Sequence, residues 1–500
     1  MAESWAKLPG EPGEPGKPGE PGEPGQPGEP GEPGEPGEAG RTGEARKAGV
    51  DLHLDLSGPQ GPHGARVRLG LETALRDAVR TGRLGPGTRL PSSRALAADL
   101  GIARNTVAEV YSQLVAEGWL TARTGSGTSV AERRTAAPGP RPLARQQVVA
   151  PRYDLRPGGP DLSAFPGSAW LATARKALAA VPSQLLDYPD PRGLEQLRAA
   201  LAGYLARARG VVADPGHIVI CAGFAHGLAV TCAALRSSGA ATLAVEAYGH
   251  RAHRDLAQAQ GLRLRPLPVD GSGAVIGDAD GADAALLTPA HQFPLGVTLH
   301  PQRRREAARW GGVVIEDDYD GEFRYDRQPV GALQALAPDH IIYAGTASKS
   351  LVPALRLGWL VVPPRLLDAV AAQLTAGPSG LDQLTLAEFI DSGGYDRQIR
   401  RTRLAYRRRR DRLAAAVARQ GRHVTGIAAG LQALLELPRP GIERDLIARA
   451  AEHGLALEGL ESFRAPGLGA DRAGLVIGYG RPAEHAYTTA LARLCAVLNS

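Results

Sequence analysis

The chain has 500 residues, 43% of them hydrophobic, enough for sizeable cores and, at roughly 150 residues each, for about three domains. Three cysteines, Cys221, Cys232 and Cys495, are too few and too scattered for a disulfide framework, so a reducing compartment is expected. No stretch approaches the ~20 continuous apolar residues of a membrane span, and the first residues hold no apolar signal-peptide core, so a soluble cytoplasmic protein without a membrane partner is expected. The formal charge of +6 hides an asymmetry. Residues 1–50 hold ten Glu against five Lys or Arg, a local −5, which leaves +11 on the rest of the chain. A surplus of that size suits a polyanionic partner.

In chain order, the first feature is periodic. Gly recurs at every third position from Gly10 to Gly43, twelve times, mostly as Gly-Glu-Pro, which is the collagen period. Residues 1–60 carry almost no aromatic or branched side chains, so they bury too little apolar surface to offset the entropy of ordering. A triple helix would need three chains. A disordered, collagen-like tail is expected over 1–60.

From residue 66 the texture becomes helical. Leu71, Leu75 and Ala78/Val79 fall at i, i+4 and i+7/8, one face of a helix, before the break Gly82-Arg-Leu-Gly-Pro-Gly87. A second helix is expected from a Ser92 or Ser93 cap to Gly101. A third runs from Arg104, with Val107, Val110, Tyr111 and Leu114 as its buried stripe. Gly118-Trp-Leu-Thr121 and Gly125-Ser-Gly-Thr-Ser-Val130 read as two short strands around a glycine turn.

Three helices and a hairpin are the plan of a winged helix-turn-helix. The stretches Gly82-Arg-Leu-Gly-Pro-Gly-Thr-Arg-Leu-Pro-Ser-Ser-Arg94, Leu96-Ala-Ala-Asp-Leu-Gly101, Arg104-Asn-Thr-Val107 and Glu117-Gly-Trp-Leu120 resemble the DNA-binding domain of the GntR family of bacterial regulators. The domain is placed at 66–131, followed by a Pro- and Arg-rich linker at 132–150. In a helix-turn-helix the second helix reaches base edges with its first turn. Arg104, Asn105 and Thr106 occupy that turn, off the apolar stripe, and Arg104 suits bidentate contact with guanine. By the resemblance, Arg94 and the wing residue Gly125 also contact DNA. Ala103 stands where the family has Ser or Thr, which removes a phosphate-contacting hydroxyl and a helix cap.

Beyond residue 150, short apolar runs (His217–Ile220, Thr242–Val245, Ala284–Leu287, Val313–Ile315, Ile341–Tyr343, Leu357–Val362) alternate with helical stretches. That alternation predicts an α/β fold with a mostly parallel, doubly wound sheet whose ligands gather at strand ends. The segments Val313-Val-Ile-Glu-Asp-Asp-Tyr-Asp-Gly-Glu-Phe-Arg-Tyr325 and Tyr343-Ala-Gly-Thr-Ala-Ser-Lys-Ser-Leu-Val-Pro-Ala-Leu-Arg-Leu-Gly358 resemble the fold-type-I, aminotransferase-like proteins that bind pyridoxal 5′-phosphate (PLP). Tyr188-Pro-Asp-Pro-Arg-Gly-Leu-Glu-Gln-Leu-Arg198 and Thr288-Pro-Ala-His-Gln-Phe-Pro-Leu-Gly296 are similar to the MocR/GabR-type regulators, in which a GntR winged helix precedes such a domain. The effector domain is placed at 151–500.

The resemblance implies roles. Lys349 is the Schiff-base (aldimine) and catalytic lysine, Asp317 pairs with the pyridinium nitrogen, and Tyr319 hydrogen-bonds the ring's 3′-oxygen. Thr346 and Arg356 hold the phosphate, and the turn at Gly223 adds the amides of Phe224 and Ala225. Either His250 or Tyr248 stacks on the ring. No metal site is expected. Phe293 stands where aminotransferases carry an Asn beside the 3′-oxygen, and Val476 where they carry the arginine that clamps the substrate carboxylate. The expected function is a homodimeric, PLP-dependent transcriptional regulator that binds an operator in double-stranded DNA. In it a small amino compound displaces Lys349 and shifts DNA binding. The alternative is a working aminotransferase that retains a DNA-binding module.

Overall fold

The computed structural model describes residues 65–123, 125–132, 151–325, 330–469 and 472–499. The tail expected over 1–60 and nearly all of the linker expected over 132–150 lie outside the described residues. The chain divides into two compact units, Met1–Gln146 and Gln147–Ser500. Among the described residues no helix is long and apolar enough to cross a membrane.

In the first unit, α1 (Ala65–Arg80) buries Leu71, Leu75 and Ala78, as one helical face requires. Helix α2 (Ser93–Leu100) is capped by Ser92, whose Oγ accepts from the Ala95 amide at 3.2 Å. It ends at Gly101 with φ +65°, a left-handed turn that glycine enters without a Cβ clash. Helix α3 (Arg104–Ala116) turns Val107, Val110, Tyr111 and Leu114 inward, and its N-cap Ala103 makes no side-chain cap bond. Strands β1 (Leu120–Arg123) and β2 (Gly127–Val130) pair antiparallel, with the flanking glycines left in the turns. Arg76 reaches from α1 to Glu117 at the end of α3, with Nε and Nη2 contacts of 3.0 and 2.7 Å. This part-exposed ion pair links α1 to the end of α3.

In the second unit, α4 (Glu195–Arg209) leads into β3 (Ile218–Cys221) and α5 (Phe224–Ser237). Then come β4 (Thr242–Glu246), α6 (Arg251–Ala259), β5 (Arg263–Leu267), β6 (Ala284–Leu287), β7 (Val313–Asp317), β8 (Ile341–Thr346) and β9 (Gly358–Val361). These strands form one seven-stranded sheet in the order β3-β9-β8-β7-β6-β4-β5. Residues alternate between the two faces of the sheet, both of them apolar. Val219, Leu243, Val313 and Ile315 face one layer, while Ile220, Ala244 and Val314 face the other. Burial on both faces is why these strands read as unbroken apolar runs.

The sheet is mostly parallel, as expected, the exception being β9, which runs antiparallel to both β8 and β3. Strand β5 was not anticipated, because Arg263-Leu-Arg-Pro-Leu267 lies at the sheet edge with Arg263 and Arg265 exposed. The long helix α7 (Gly394–Ala418) leads to a smaller antiparallel sheet of β10 (Val424–Thr425), β11 (Gln432–Glu436) and β12 (Gly474–Gly478).

Leu114 is 1% exposed in the first unit's core. Leu114→Ala should destabilise that unit by roughly 2–4 kcal/mol, measured as a matching loss of amide protection across α1 and α3 in hydrogen exchange. Unchanged protection would show that this stripe is not the unit's core.

Candidate functional site

The carboxyl ends of the parallel strands converge, as ligand sites in such sheets do. Glu246 closes β4, Asp317 closes β7 and Thr346 closes β8, while β9 enters the same edge through Arg356 and Gly358. They border a cleft of about 330 Å³ whose wall includes Lys349, Asp317, Tyr319, Thr346, Arg356 and His250. Phe224 and Ala225, the first residues of α5, complete it. The structure thus brings together every residue expected to hold the cofactor except Tyr248. Tyr248 is 4% exposed in an apolar cluster with Phe293, Phe463 and Val476.

The anion end of the cleft is built from backbone. Gly223 (φ +82°) turns the chain from β3 into α5, whose first-turn amides have no intrahelical acceptor. A Cβ on Gly358 would lie 2.9 Å from the Gly223 carbonyl carbon, so two strands meet here with room only for glycine. Arg356 sits in the left-handed region (φ +51°) at the same corner, where its guanidinium approaches Gly223. Thr346 Oγ1 accepts from the Ser348 amide at 3.1 Å and contacts Ser348 Oγ at 2.9 Å. A helix N-terminus, a guanidinium and two hydroxyls make a site for a dianion.

The other end is built from buried titratable groups. Lys349 Nζ donates to the Gly158 carbonyl, and burial pushes its ammonium below the usual lysine range against the opposing pull of Asp317 and Asp320. Burial holds the Asp317 carboxyl well above its ordinary range, and the nearby Lys349 only partly offsets this. Asp317 Oδ1 is buried with no hydrogen-bond partner. A buried carboxyl oxygen left bare is costly, and a protonated ring nitrogen is the donor that it lacks. The residues present therefore fit PLP.

His250 and Phe293 stack with ring centroids 4.0 Å apart and planes 12° from parallel. Burial, together with His253, Lys349 and Arg254, holds His250 well below its ordinary range. His253 is pushed down to about 4, chiefly by burial. Both imidazoles are therefore uncharged near neutral pH. Glu246, Gly158, His253, Gln432 and His291 were given no role from sequence. Glu246 had a signal, because it ends a strand as Asp317 does. Val476 is fully buried beside Phe293, so no cation stands at the expected carboxylate position. Arg472 instead pairs with Glu436, and Arg481 with Asp154 at 3.1 Å.

In the first unit, Arg94, Arg104 and Asn105 are exposed and Thr106 is half-buried, on α2 and the first turn of α3. Gly125 is exposed in the turn between β1 and β2, with φ +82°. Together they leave a polar helix start and a wing open to solvent.

Residues 68–130 match the family model for bacterial regulatory proteins of the gntR family, and residues 161–469 match the model for aminotransferase class I and II. The HTH-type pyridoxine biosynthesis transcriptional regulator PdxR of Corynebacterium glutamicum is 34% identical over 449 residues, 85% of this chain and 94% of that protein. The chain belongs to the MocR/GabR-type branch of the GntR family. A second relative, the probable rhizopine catabolism regulatory protein MocR of Rhizobium meliloti, is 33% identical over 410 residues, 76% of this chain and 83% of its own length. An archaeal alanine:glyoxylate aminotransferase superposes on this GntR-family chain with a TM-score of 0.63 at 22% identity, over 69% of this chain and 90% of that one. A kynurenine aminotransferase of Pyrococcus horikoshii gives 0.62 at 23%, over 70% and 91%. At that identity the likeness concerns the fold.

Glu246 offers a test of the cleft's electrostatics. Burial raises its carboxyl from an ordinary 4.5 to about 7, against hydrogen bonds donated by the Thr288 hydroxyl and the Gln292 amide. Between those values the unfolded carboxyl loses a proton that the folded one keeps, so this contribution to stability falls as pH rises. Glu246→Gln should remove a decline of roughly 3 kcal/mol between pH 4.5 and 7, seen as a flatter pH profile of urea midpoints. An unchanged profile would show that Glu246 ionises normally.

Proposed function

We propose that this chain is a DNA-binding transcriptional regulator whose second unit holds PLP and senses a small amino compound. The observation that carries the reading is the bare, buried Oδ1 of Asp317 in one cleft with Lys349, on a chain that also presents an open helix-turn-helix start. PLP, when bound, supplies an aldehyde carbon that reacts with primary amines and a ring that withdraws electrons from it.

The protein's own residues account for the rest. Burial disfavours the Lys349 ammonium, which frees its amine as a nucleophile. Asp317 holds a proton at the ring nitrogen. Thr346, Arg356 and the amides of Phe224 and Ala225 bind the phosphate, Tyr319 faces the 3′-oxygen, and His250 covers the ring. Tyr248 is the weaker candidate for stacking because it lies in the neighbouring apolar cluster. Arg104, Asn105 and Thr106 read bases, while Arg94 and the wing at Gly125 fix the backbone. We assign the DNA-binding domain to 66–131 and the effector domain to 151–500, joined by a linker at 132–150 and preceded by the 1–60 tail. A homodimer matches the twofold symmetry of operators. The effector acts by binding the two DNA-binding states with unequal affinity.

Two variants test the two halves. Lys349→Ala should abolish the visible absorbance band of protein mixed with PLP, and survival of an unaltered band would place the reactive amine elsewhere. Arg104→Ala should weaken operator binding by about 1–3 kcal/mol, roughly 5- to 150-fold, in a mobility-shift titration at fixed salt. Amino compounds are then screened with a keto acid present and DNA retention measured in parallel. Multiple turnover with no change in DNA binding would overturn the regulatory reading in favour of an aminotransferase.

A further inference from the structure

A buried pair beside the cleft is not used by the chemistry above. His291 and Asp320 are 3% and 2% exposed, and His291 Nδ1 lies 2.8 Å from Asp320 Oδ2. The same nitrogen is 3.1 Å from the Tyr319 hydroxyl. That hydroxyl is also 3.1 Å from the His291 carbonyl oxygen and receives a 2.7 Å hydrogen bond from Gln432 Nε2. Close packing holds the pair in place. A Cβ on Gly430, whose φ is +75°, would lie 2.3 Å from Asp320 Oδ2 and 2.5 Å from His291 Nδ1.

Counting protons orders this network. An ionised Asp320 only accepts, so the pair is satisfied when Nδ1 carries the ring proton and donates it to Asp320. In that tautomer Nδ1 has no lone pair with which to capture the phenol proton, and Asp320 Oδ2 takes the imidazole N–H at 2.8 Å. The Gln432 amide fills one lone pair on the Tyr319 oxygen. The acceptors the protein offers the phenol proton are the His291 carbonyl, where 3.1 Å is long for an O–H···O bond, and the Asp320 carboxylate, which the imidazole N–H also occupies. Phe293, whose ring meets Tyr319 edge-on with centroids 6.0 Å apart, offers no competing donor. The charged groups that bear on the network are Asp317, Asp320 and Lys349.

We infer that His291 and Asp320 are positioning residues: the pair fixes the Nδ1–H tautomer and so keeps the one proton of Tyr319 available to the 3′-oxygen of the cofactor. The inference rests on the PLP reading above and goes beyond it. When Tyr319 loses that role, the 3′-oxygen lacks its donor and becomes more basic.

Two measurements test this. In ¹⁵N-histidine NMR of the full chain without added cofactor, the signal lost in His291→Asn should report an Nδ1–H tautomer, and an Nε2–H tautomer overturns the inference. In the chain loaded with PLP, the pH midpoint of the visible band should rise by about one unit, a tenfold change in proton affinity, in Asp320→Asn and His291→Phe. His291→Asn, whose amide nitrogen takes the place of Nδ1, should restore the wild-type midpoint. Tyr319→Phe should shift it as His291→Phe does, with no further change in the double variant. An unmoved midpoint in variants with the wild-type circular dichroism spectrum overturns the inference alone. A wild type that shows no visible band defeats the PLP reading itself, a separate outcome.

Discussion

The cleft of the second unit is organised around the buried Oδ1 of Asp317, the one carboxylate oxygen among the described residues' buried polar atoms that have no partner. Its neighbours make the point by contrast. The run Glu316-Asp-Asp-Tyr-Asp320 places four carboxyls within five residues at a strand end, where desolvation and mutual repulsion would be severe. Three of them are answered from within the protein. Glu316 accepts from the amides of Leu333 and Gln334 at 2.7 and 2.8 Å. Asp318 holds Arg209 bidentately at 2.7 and 3.0 Å and also accepts from the Tyr343 hydroxyl. Asp320 meets His291. Only Asp317 keeps a free oxygen, and it faces the cleft. A fold that compensates every neighbouring carboxylate leaves this one open toward the cleft, which is how a binding site differs from a packing defect.

The rest of the cleft follows from that position. Asp317 ends β7 in the middle of the sheet, so strands on both sides deliver their own termini alongside it. Thr346 arrives from β8 and Glu246 from β4, while the turn after β3 brings the α5 amides. The antiparallel β9 matters because it starts where its neighbours finish. Thr346 pairs with Gly358 across β8 and β9, which places Arg356 beside the α5 N-terminus. A parallel strand there would have sent Arg356 to the far edge.

Much of this was legible in the sequence, for identifiable reasons. The three helices of the first unit follow from the 3.6-residue spacing of Leu71, Leu75, Val107, Val110 and Leu114 and from the Ser92 and Gly101 caps, all local signals. The central strands follow from unbroken apolar runs, because both faces are covered. Strand direction is not encoded in hydropathy, so nothing in the apolar run of β9 marks it as the antiparallel member of a mostly parallel sheet. The edge strand β5 was hidden by its exposed arginines. In the site, Lys349, Asp317 and Arg356 were legible because fixed spacings carry them. His291 and Gln432 were not, since their partner Tyr319 lies 28 and 113 residues away. The choice between His250 and Tyr248 turned on two residues of register after β4, and the backbone path brings His250 to the cleft wall and Tyr248 into the neighbouring apolar cluster.

The arginine-rich segment shows how one sequence feature divides in space. From Arg397 to Arg412 there are nine arginines against Asp411, on a single helix, α7. Helical periodicity sorts them. Arg409 points inward, 2% exposed, and pairs with Asp161 at 2.6 Å and Glu484 at 2.8 Å. Arg397, Arg400, Arg401, Arg407 and Arg408 are exposed, at spacings of three, four and seven that mark the opposite face. Removing the Arg409 charge would strand the Asp161 carboxylate, 5% exposed, in the core. Removing an exposed arginine would strand nothing. The buried member serves the fold, and the exposed five carry a large share of the positive surplus that remains once the acidic tail is set apart.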